Sequence, residues 1–395
     1  MDWHQRLRRR FIQGLLAPAT LSLLLAGMPG PAVGSSAVSM HLAGDEQTEF
    51  RWATDRCNDN DIPDAPARAF RGANGQIQLL APHFDNRLLT VVDGKLKHSG
   101  CRIVLDSPGD PDPAHYRDRR WIAATWTNDG KIIHALVHHE YQGHRHPGAC
   151  PLADYIACWY NTITYARSDD GGQTFVQSNP PKVVAAPPFQ QNVGQGRHRG
   201  FFNPTNIIQL GDYWYVLIYT TGWEGQPPGM CVFRTSDVAR PDLWRAWNGS
   251  AFDGQFGDPY SGSALPPARC QPVTQNWFGS LQRVDRSDSI VAVFLHEVVS
   301  GQSRSWQLAY SVSRDLIAWS APNDLKPLTN LGSRDCSDVS RYAYPSLIDL
   351  AAPSLNFDAV GENADLFLTR VKVKNCRNSF DRDLVRYKIR IDRLN

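Results

Sequence analysis

The sequence predicts an all-β chain folded as a five-bladed β-propeller, and three observations carry that expectation. Apolar runs of strand length, each entered through a turn signal, recur at Gln76 to Pro82, Lys131 to His138, Tyr213 to Tyr219, Ser289 to Leu295 and Asp365 to Thr369. The segment Tyr165-Ala166-Arg167-Ser168-Asp169-Asp170-Gly171-Gly172-Gln173-Thr174-Phe175 returns in weaker form twice. One copy is Phe233-Arg234-Thr235-Ser236 with Asp237 and Trp244, the other Tyr310-Ser311-Val312-Ser313 with Asp315 and Trp319. Finally, 12 Trp, 13 Tyr and 16 Phe among 30 Gly and 27 Pro favour turn-rich strands over helices.

Taken in order, the chain opens with Arg6, Arg8, Arg9 and Arg10 ahead of an apolar run from Phe11 to Met28. Ser35 and Ala37 then stand at the −3 and −1 positions of a cleavage site, so residues 1–37 read as a signal peptide and 38–395 as a single domain. An exported chain with an even count of eight cysteines implies disulfides. Sequential pairing is the simplest connectivity, with Cys150 to Cys158 the best supported across a short loop, and others remain open. A net charge of +2 gives no footprint for nucleic acid or an anionic membrane, and the expected form is a secreted or periplasmic monomer.

Each apolar run follows a shorter one across a hairpin turn. Arg68 to Arg71 precedes Gly72-Ala73-Asn74-Gly75, Trp121 to Thr125 precedes Asn128-Asp129-Gly130, and Asn206 to Leu210 precedes Gly211-Asp212. Ser280 to Val284 and Ser346 to Leu350 take the same place in the last two repeats, and Leu384 to Ile391 is expected to complete the last blade. A β-sandwich is the alternative, but sandwiches rarely repeat one hairpin five times.

Ser168, Asp170, Gly172, Thr174 and Phe175 resemble the Asp box of sialidases and other propellers. There Ser and Asp tie up the backbone of a hairpin, Gly takes a positive φ, and the aromatic fills the space between sheets, so the box is a folding device. The hairpins together with Ser313, Asp315, Leu316 and Trp319 resemble the five-bladed glycoside hydrolase superfamily of arabinanases, xylosidases and levansucrases. The resemblance covers most of the mature chain and implies carbohydrate hydrolysis without an organic cofactor.

Antiparallel strands put the start of each first strand and the end of each second strand at one mouth. First-strand starts offer Asp61, Asp64, Arg68, Arg120, Trp121, Asn203, Asn276, Trp277, Arg341 and Tyr344; second-strand ends offer His83, Asp85, Arg87, His139, Glu140, Glu224, His296 and Glu297. Glycoside hydrolysis needs one carboxyl that donates a proton and one ionised carboxylate. Asp64 stands where the resembled families place a base or nucleophile. Glu140 and Glu297 both follow a His at an apolar strand end, where burial raises a carboxyl pKa. The catalytic expectation is therefore Asp64, Glu140 and Glu297. Arg68, His83, Arg87, Trp121, His139, Asn203, Trp223, His296, Arg341 and Tyr344 are expected to bind an oligosaccharide or polysaccharide.

Three rival readings use the same residues. Arg68, Arg71, Arg87, Arg120, Arg199 and Arg341 would suffice for a sialidase-like grip on a carboxylated sugar. A glycan-binding propeller would use the aromatics without catalysis, and a lyase would use His with Tyr or Arg. The histidine-rich segment from His138 to His146 does not make a zinc site, because after His139-Glu140 the next His comes one residue too late for the H-E-x-x-H pattern.

Overall fold

The computed structural model describes residues 38–191, 197–263, 268–301 and 303–394; the expected signal peptide lies outside them. The strands form four hydrogen-bonded sheets and fall into five successive antiparallel groups, the second and third of which share one sheet. The first holds Arg68–Arg71, Ile77–Leu80, Asn86–Val92 and Lys95–Leu105. The second holds Arg119–Trp126, Ile133–Gln142 and Trp159–Ser168, edged by Val176–Gln177 and Val183–Ala185. In the third, an interrupted first strand of Arg199–Phe202 and Ile208–Leu210 pairs with Tyr213–Thr220, followed by Gly229–Thr235 and Arg245–Trp247. Phe278–Val284, Ile290–Ser300, Ser303–Ser313 and Asn323–Pro327 form the fourth. The fifth comprises Ser340–Ile348, Asn363–Lys374 and Arg377–Arg393, and the amino-terminal strand Val38–Leu42 pairs along its outer edge. The first and last described strands are thus tied into one sheet, and the molecule is an all-β propeller.

These strands have buried residues on both faces, because each sheet is covered by its neighbours. Ile290 through Leu295 are all buried, which is why the sequence shows a continuous apolar run where a half-exposed strand would alternate. Phe70, Leu80, Ile122, Val137 and Phe175 fill the space between the first two sheets. The parallel contact of Gly200 with Asn161 joins the second group to the third. Gly200 has a φ of +124°, and a Cβ there would lie 1.9 Å from the Asn161 carbonyl oxygen, so only glycine fits.

The turns follow the predicted chemistry. Ser168 Oγ accepts from the Gly172 amide at 2.8 Å and donates to Asp170 Oδ1 at 2.7 Å, and Asp170 accepts from the Thr174 amide. Ser313 and Asp315 repeat this, with the Leu316 amide on Ser313 Oγ and the Ile317 and Ala318 amides on Asp315. The middle copy corrects the expected alignment: Thr235, and not Ser236, takes the hydroxyl role, accepting from the Asp237 amide at 3.1 Å. All eight cysteines pair sequentially, as Cys57–Cys101, Cys150–Cys158, Cys231–Cys270 and Cys336–Cys376.

The axis is occupied by one side chain. Arg68, 2% exposed, donates from Nε to Ala123 O (2.6 Å) and from Nη1 to Ala67 O (3.0 Å) and Ser346 Oγ (3.2 Å). Its Nη2 donates to Pro204 O (2.8 Å) and Gly279 O (2.9 Å). A guanidinium has five N–H groups, and here each reaches a different strand group, in or beside its first strand. The expectation that Arg68 binds substrate is therefore corrected: every donor it has is spent inside the protein. Burial lowers its pKa to about 9, which still leaves it charged at neutral pH.

Arg68→Lys supplies three donors in place of five. Two buried acceptors then lose their partners, at ~1–3 kcal/mol each. Chemical denaturation should show a loss of roughly 2–6 kcal/mol, and an unchanged midpoint would contradict the axial role.

Candidate active site

An open cavity of about 480 Å³ is lined by Asp64, Trp121, Glu140, Asn203 and Tyr344, among others. The inner strands that Arg68 ties together also supply its floor. Asp64 precedes Ala67 by three residues, Trp121 precedes Ala123 by two, Asn203 precedes Pro204, and Tyr344 precedes Ser346 by two. Tyr344 has a φ of +58° within a register shift between Ala343 and Ser346. A tyrosine in the left-handed region is a costly conformation, and such outliers cluster at functional sites. The shift turns the Tyr344 hydroxyl onto Asp64 Oδ1, to which it donates at 3.2 Å. Arg382 pairs with the same carboxylate, and His83 Nε2 lies 3.7 Å from its other oxygen.

Glu140 reaches the cavity from the second strand of the second sheet. Residues alternate across a strand, so His138, Glu140 and Gln142 share one face, and all three line the cavity. Glu140 is only 12% exposed at its side chain. Gln142 donates to its Oε2 at 2.8 Å, and Asn161, directly opposite in the ladder, donates to Oε1 at 3.2 Å. Burial raises the Glu140 pKa to about 7; the two amide donors oppose this, and the charge of Asp64 adds to it. Desolvation wins over two hydrogen bonds, so Glu140 holds a proton well above the usual carboxyl range.

His138 is neutral. Asn161 Nδ2 donates to its Nε2 at 2.9 Å, which leaves Nδ1–H to donate to Asn203 Oδ1, also at 2.9 Å. Burial lowers its pKa to about 3. Its ring stacks on Trp121 at 5.6 Å and 30°, fixing that indole as one wall. The Gly143–Arg145 turn after Gln142 contributes Arg145, and beyond the Cys150–Cys158 bridge the chain returns at Trp159, whose indole stacks on His144 and donates to its Nδ1 at 3.0 Å.

Of the residues singled out in the sequence, Asp64, Glu140, His83, Trp121, Asn203 and Tyr344 meet in this cavity. The others lie elsewhere. Glu297 does not end its strand, which continues to Ser300 and carries it away to an exposed ion pair with Arg304 at 3.0 Å. His296 beside it bonds Asp324 at 2.7 Å. His139 faces the opposite side of its strand from Glu140, fully buried against Thr162. Arg87 lies between Asp61 and Asp85, and Arg341 is held by Asp338 and Asn378. Trp223 packs among Phe189, Phe201 and Phe256.

None of the six arginines proposed for a sialidase-like grip lines the cavity. Beyond Arg68, Arg87 and Arg341, Arg71 bonds Gly75 O and Ala352 O, Arg120 pairs with Asp106, and Arg199 donates to Gly222 O. The sequence reading missed His138 and Gln142, although both stand two residues from Glu140 and so share its face. Nothing local in the sequence pointed to Arg145, Trp159, Phe380 or Arg382. Among the described residues, the one grouping with metal-ligand spacing is Cys57, Asp61 and His98, and Cys57 is in a disulfide.

No protein-family model matches the chain, and no curated protein is a detectable relative. Among solved structures, similarity is found to a Cellvibrio cellulosa α-L-arabinanase complexed with arabinohexaose, at 11% identity over 82% of this chain and 90% of the other, with a TM-score of 0.46. A GH62 hydrolase in complex with xylotriose shares 8% identity over 87% and 95% of the two chains, with a TM-score of 0.45. An N-acetylgalactosamine deacetylase from F. plautii shares 11% over 90% and 96%, also with a TM-score of 0.45.

The raised pKa of Glu140 fixes the sign of its pH effect. Its ordinary value is 4.5 and its folded value about 7, so between these the folded state keeps a proton that the unfolded chain has released. This contribution is complete below about pH 4.5 and lost as pH rises through 7, by on the order of 3 kcal/mol. Buried histidines such as His138 act in the opposite sense. The difference between wild type and Glu140→Gln therefore isolates the effect. Unfolding free energies at pH 5 and pH 8 should show Glu140→Gln gaining on wild type at the higher pH; parallel pH profiles would contradict the assignment.

Proposed function

We propose that this protein is an exported single-domain glycoside hydrolase, residues 38–395 following a cleaved signal peptide, with its five strand groups as five blades of the propeller. Glu140 is the proton donor to the leaving glycosidic oxygen, and Asp64 is the carboxylate that completes the reaction. The observation that carries this reading is the contrast between two carboxyl groups at one cavity. Glu140 is desolvated and keeps its proton to about pH 7, while Asp64 accepts from Tyr344 and pairs with Arg382. Groups whose surroundings differ in this way divide acid and base roles.

In the proposed step, Glu140 protonates the bridging oxygen as the bond to the anomeric carbon breaks, and positive charge develops on the sugar ring. Asp64 either attacks that carbon or takes a proton from the water that does. Asn161 and Gln142 then stabilise the Glu140 carboxylate left behind, since both already donate to it. Their strengthening on ionisation lowers the barrier to proton transfer. Trp159, only partly buried, offers apolar surface to a sugar ring at the cavity.

Release of reducing ends from a panel of plant, bacterial and sialylated glycans tests the reading. Glu140→Gln and Asp64→Asn should each cut turnover by about 10²–10⁴-fold, whereas Glu297→Gln should retain wild-type rates. Full activity in Glu140→Gln, or no cleavage of any glycan by the wild type, would overturn it.

A further inference from the structure

We propose that the cavity takes an anionic sugar, one bearing a carboxylate or a sulfate ester, with the charged substituent held between Arg119 and Arg145. This deepens the glycoside-hydrolase reading of the same site and rests on it.

Both arginines line the cavity together with Glu140. Arg382, which reaches Asp64, is already matched by that carboxylate. Arg145 makes no hydrogen bond or ion pair among the described residues and is exposed. Arg119 lies with its guanidinium 4.3 Å over the Phe84 ring, and its buried Nε has no hydrogen-bond partner. Its nearest carboxylate oxygen, Asp118 Oδ1, is 3.9 Å away. The other oxygen of Asp118 is engaged, accepting from the Gln142 backbone amide at 2.8 Å and lying 3.0 Å from His146 Nε2.

The two guanidinium groups are near enough that the charge of Arg145, after burial, lowers the pKa of Arg119. Like charges held together in a partly desolvated site repel, and an anion placed between them removes that repulsion. A guanidinium fork matches the two oxygens of a carboxylate or sulfate. Glu140 does not oppose such a ligand, because its proton leaves it neutral up to about pH 7. Arg145 ends the Gly143–Arg145 turn, directly after His144, whose ring stacks on Trp159 of the cavity lining.

The test compares oligogalacturonides and sulfated oligosaccharides with their carboxyl-reduced and desulfated counterparts, on wild type, Arg145→Ala and Arg145→Lys. Wild type should favour the charged member of a pair by about 10–100-fold in kcat/KM. Arg145→Ala should lose most of that preference and Arg145→Lys recover part of it, and the favoured pair distinguishes carboxylate from sulfate. Equal cleavage of neutral counterparts, unchanged in Arg145→Ala, would overturn the inference and leave the hydrolase reading standing. Calorimetric binding of charged oligosaccharides that depends on Arg145, without cleavage, would uphold the inference and remove the hydrolase reading. If no charged oligosaccharide is bound or cleaved, the inference fails.

Discussion

The structure depends on a charge buried at its centre. Five strand groups meet where four backbone carbonyl oxygens and the Ser346 hydroxyl face one point, and unpaired buried acceptors are costly. Arg68 answers all five at once, with acceptors in or next to each first strand. Its charge has no carboxylate beside it among these contacts, so its desolvation is offset only by oriented dipoles. Losing any one contact would therefore be felt at the others. A hydrophobic plug could fill the space but could not dictate where five separate backbones stop.

That constraint extends upward into the cavity. Asp64, Trp121, Asn203 and Tyr344 each stand within three residues of an Arg68 acceptor, so fixing the axis also fixes the floor of the site. Glu140 comes from a second strand and is placed by a separate set of contacts. Asn161 joins it to the neighbouring strand, and Gly200 lets the third strand group approach Asn161 closely. The two carboxyl groups are thus held by different parts of the fold and in different surroundings. Burial on the Glu140 side, with the charge of Asp64 adding to it, raises the Glu140 pKa.

Much of this was legible in the sequence, for physical reasons. Sheets covered on both faces leave continuous apolar runs, and hairpins need Gly, Asn or Asp at their turns, so the recurring pairs were visible. Antiparallel geometry then brought Asp64, Glu140 and Tyr344 to the same mouth. The failures have equally specific causes. Glu297 mimicked Glu140 through a shared His-Glu pair, but a hairpin extending to Ser300 displaced it. His139 was chosen over His138 although alternation gives Glu140's face to the latter. Arg68 looked like a ligand-binding arginine, because position at a strand start does not reveal whether a side chain points to the mouth or the axis. Arg145, Trp159 and Arg382 reach the site from a bridged loop and a distant hairpin, where no local pattern announces them.

The proton-donor role proposed for Glu140 depends on tuning by burial and by the charge of Asp64. Carbon-13 NMR titration of the Glu140 carboxyl, in wild type and in Asp64→Asn, tests it most directly. The account predicts a midpoint near pH 7 in the wild type, as burial raises it, and a lower midpoint in Asp64→Asn, where that charge is gone. A wild-type midpoint in the ordinary carboxyl range, or one that Asp64→Asn leaves in place, would contradict it.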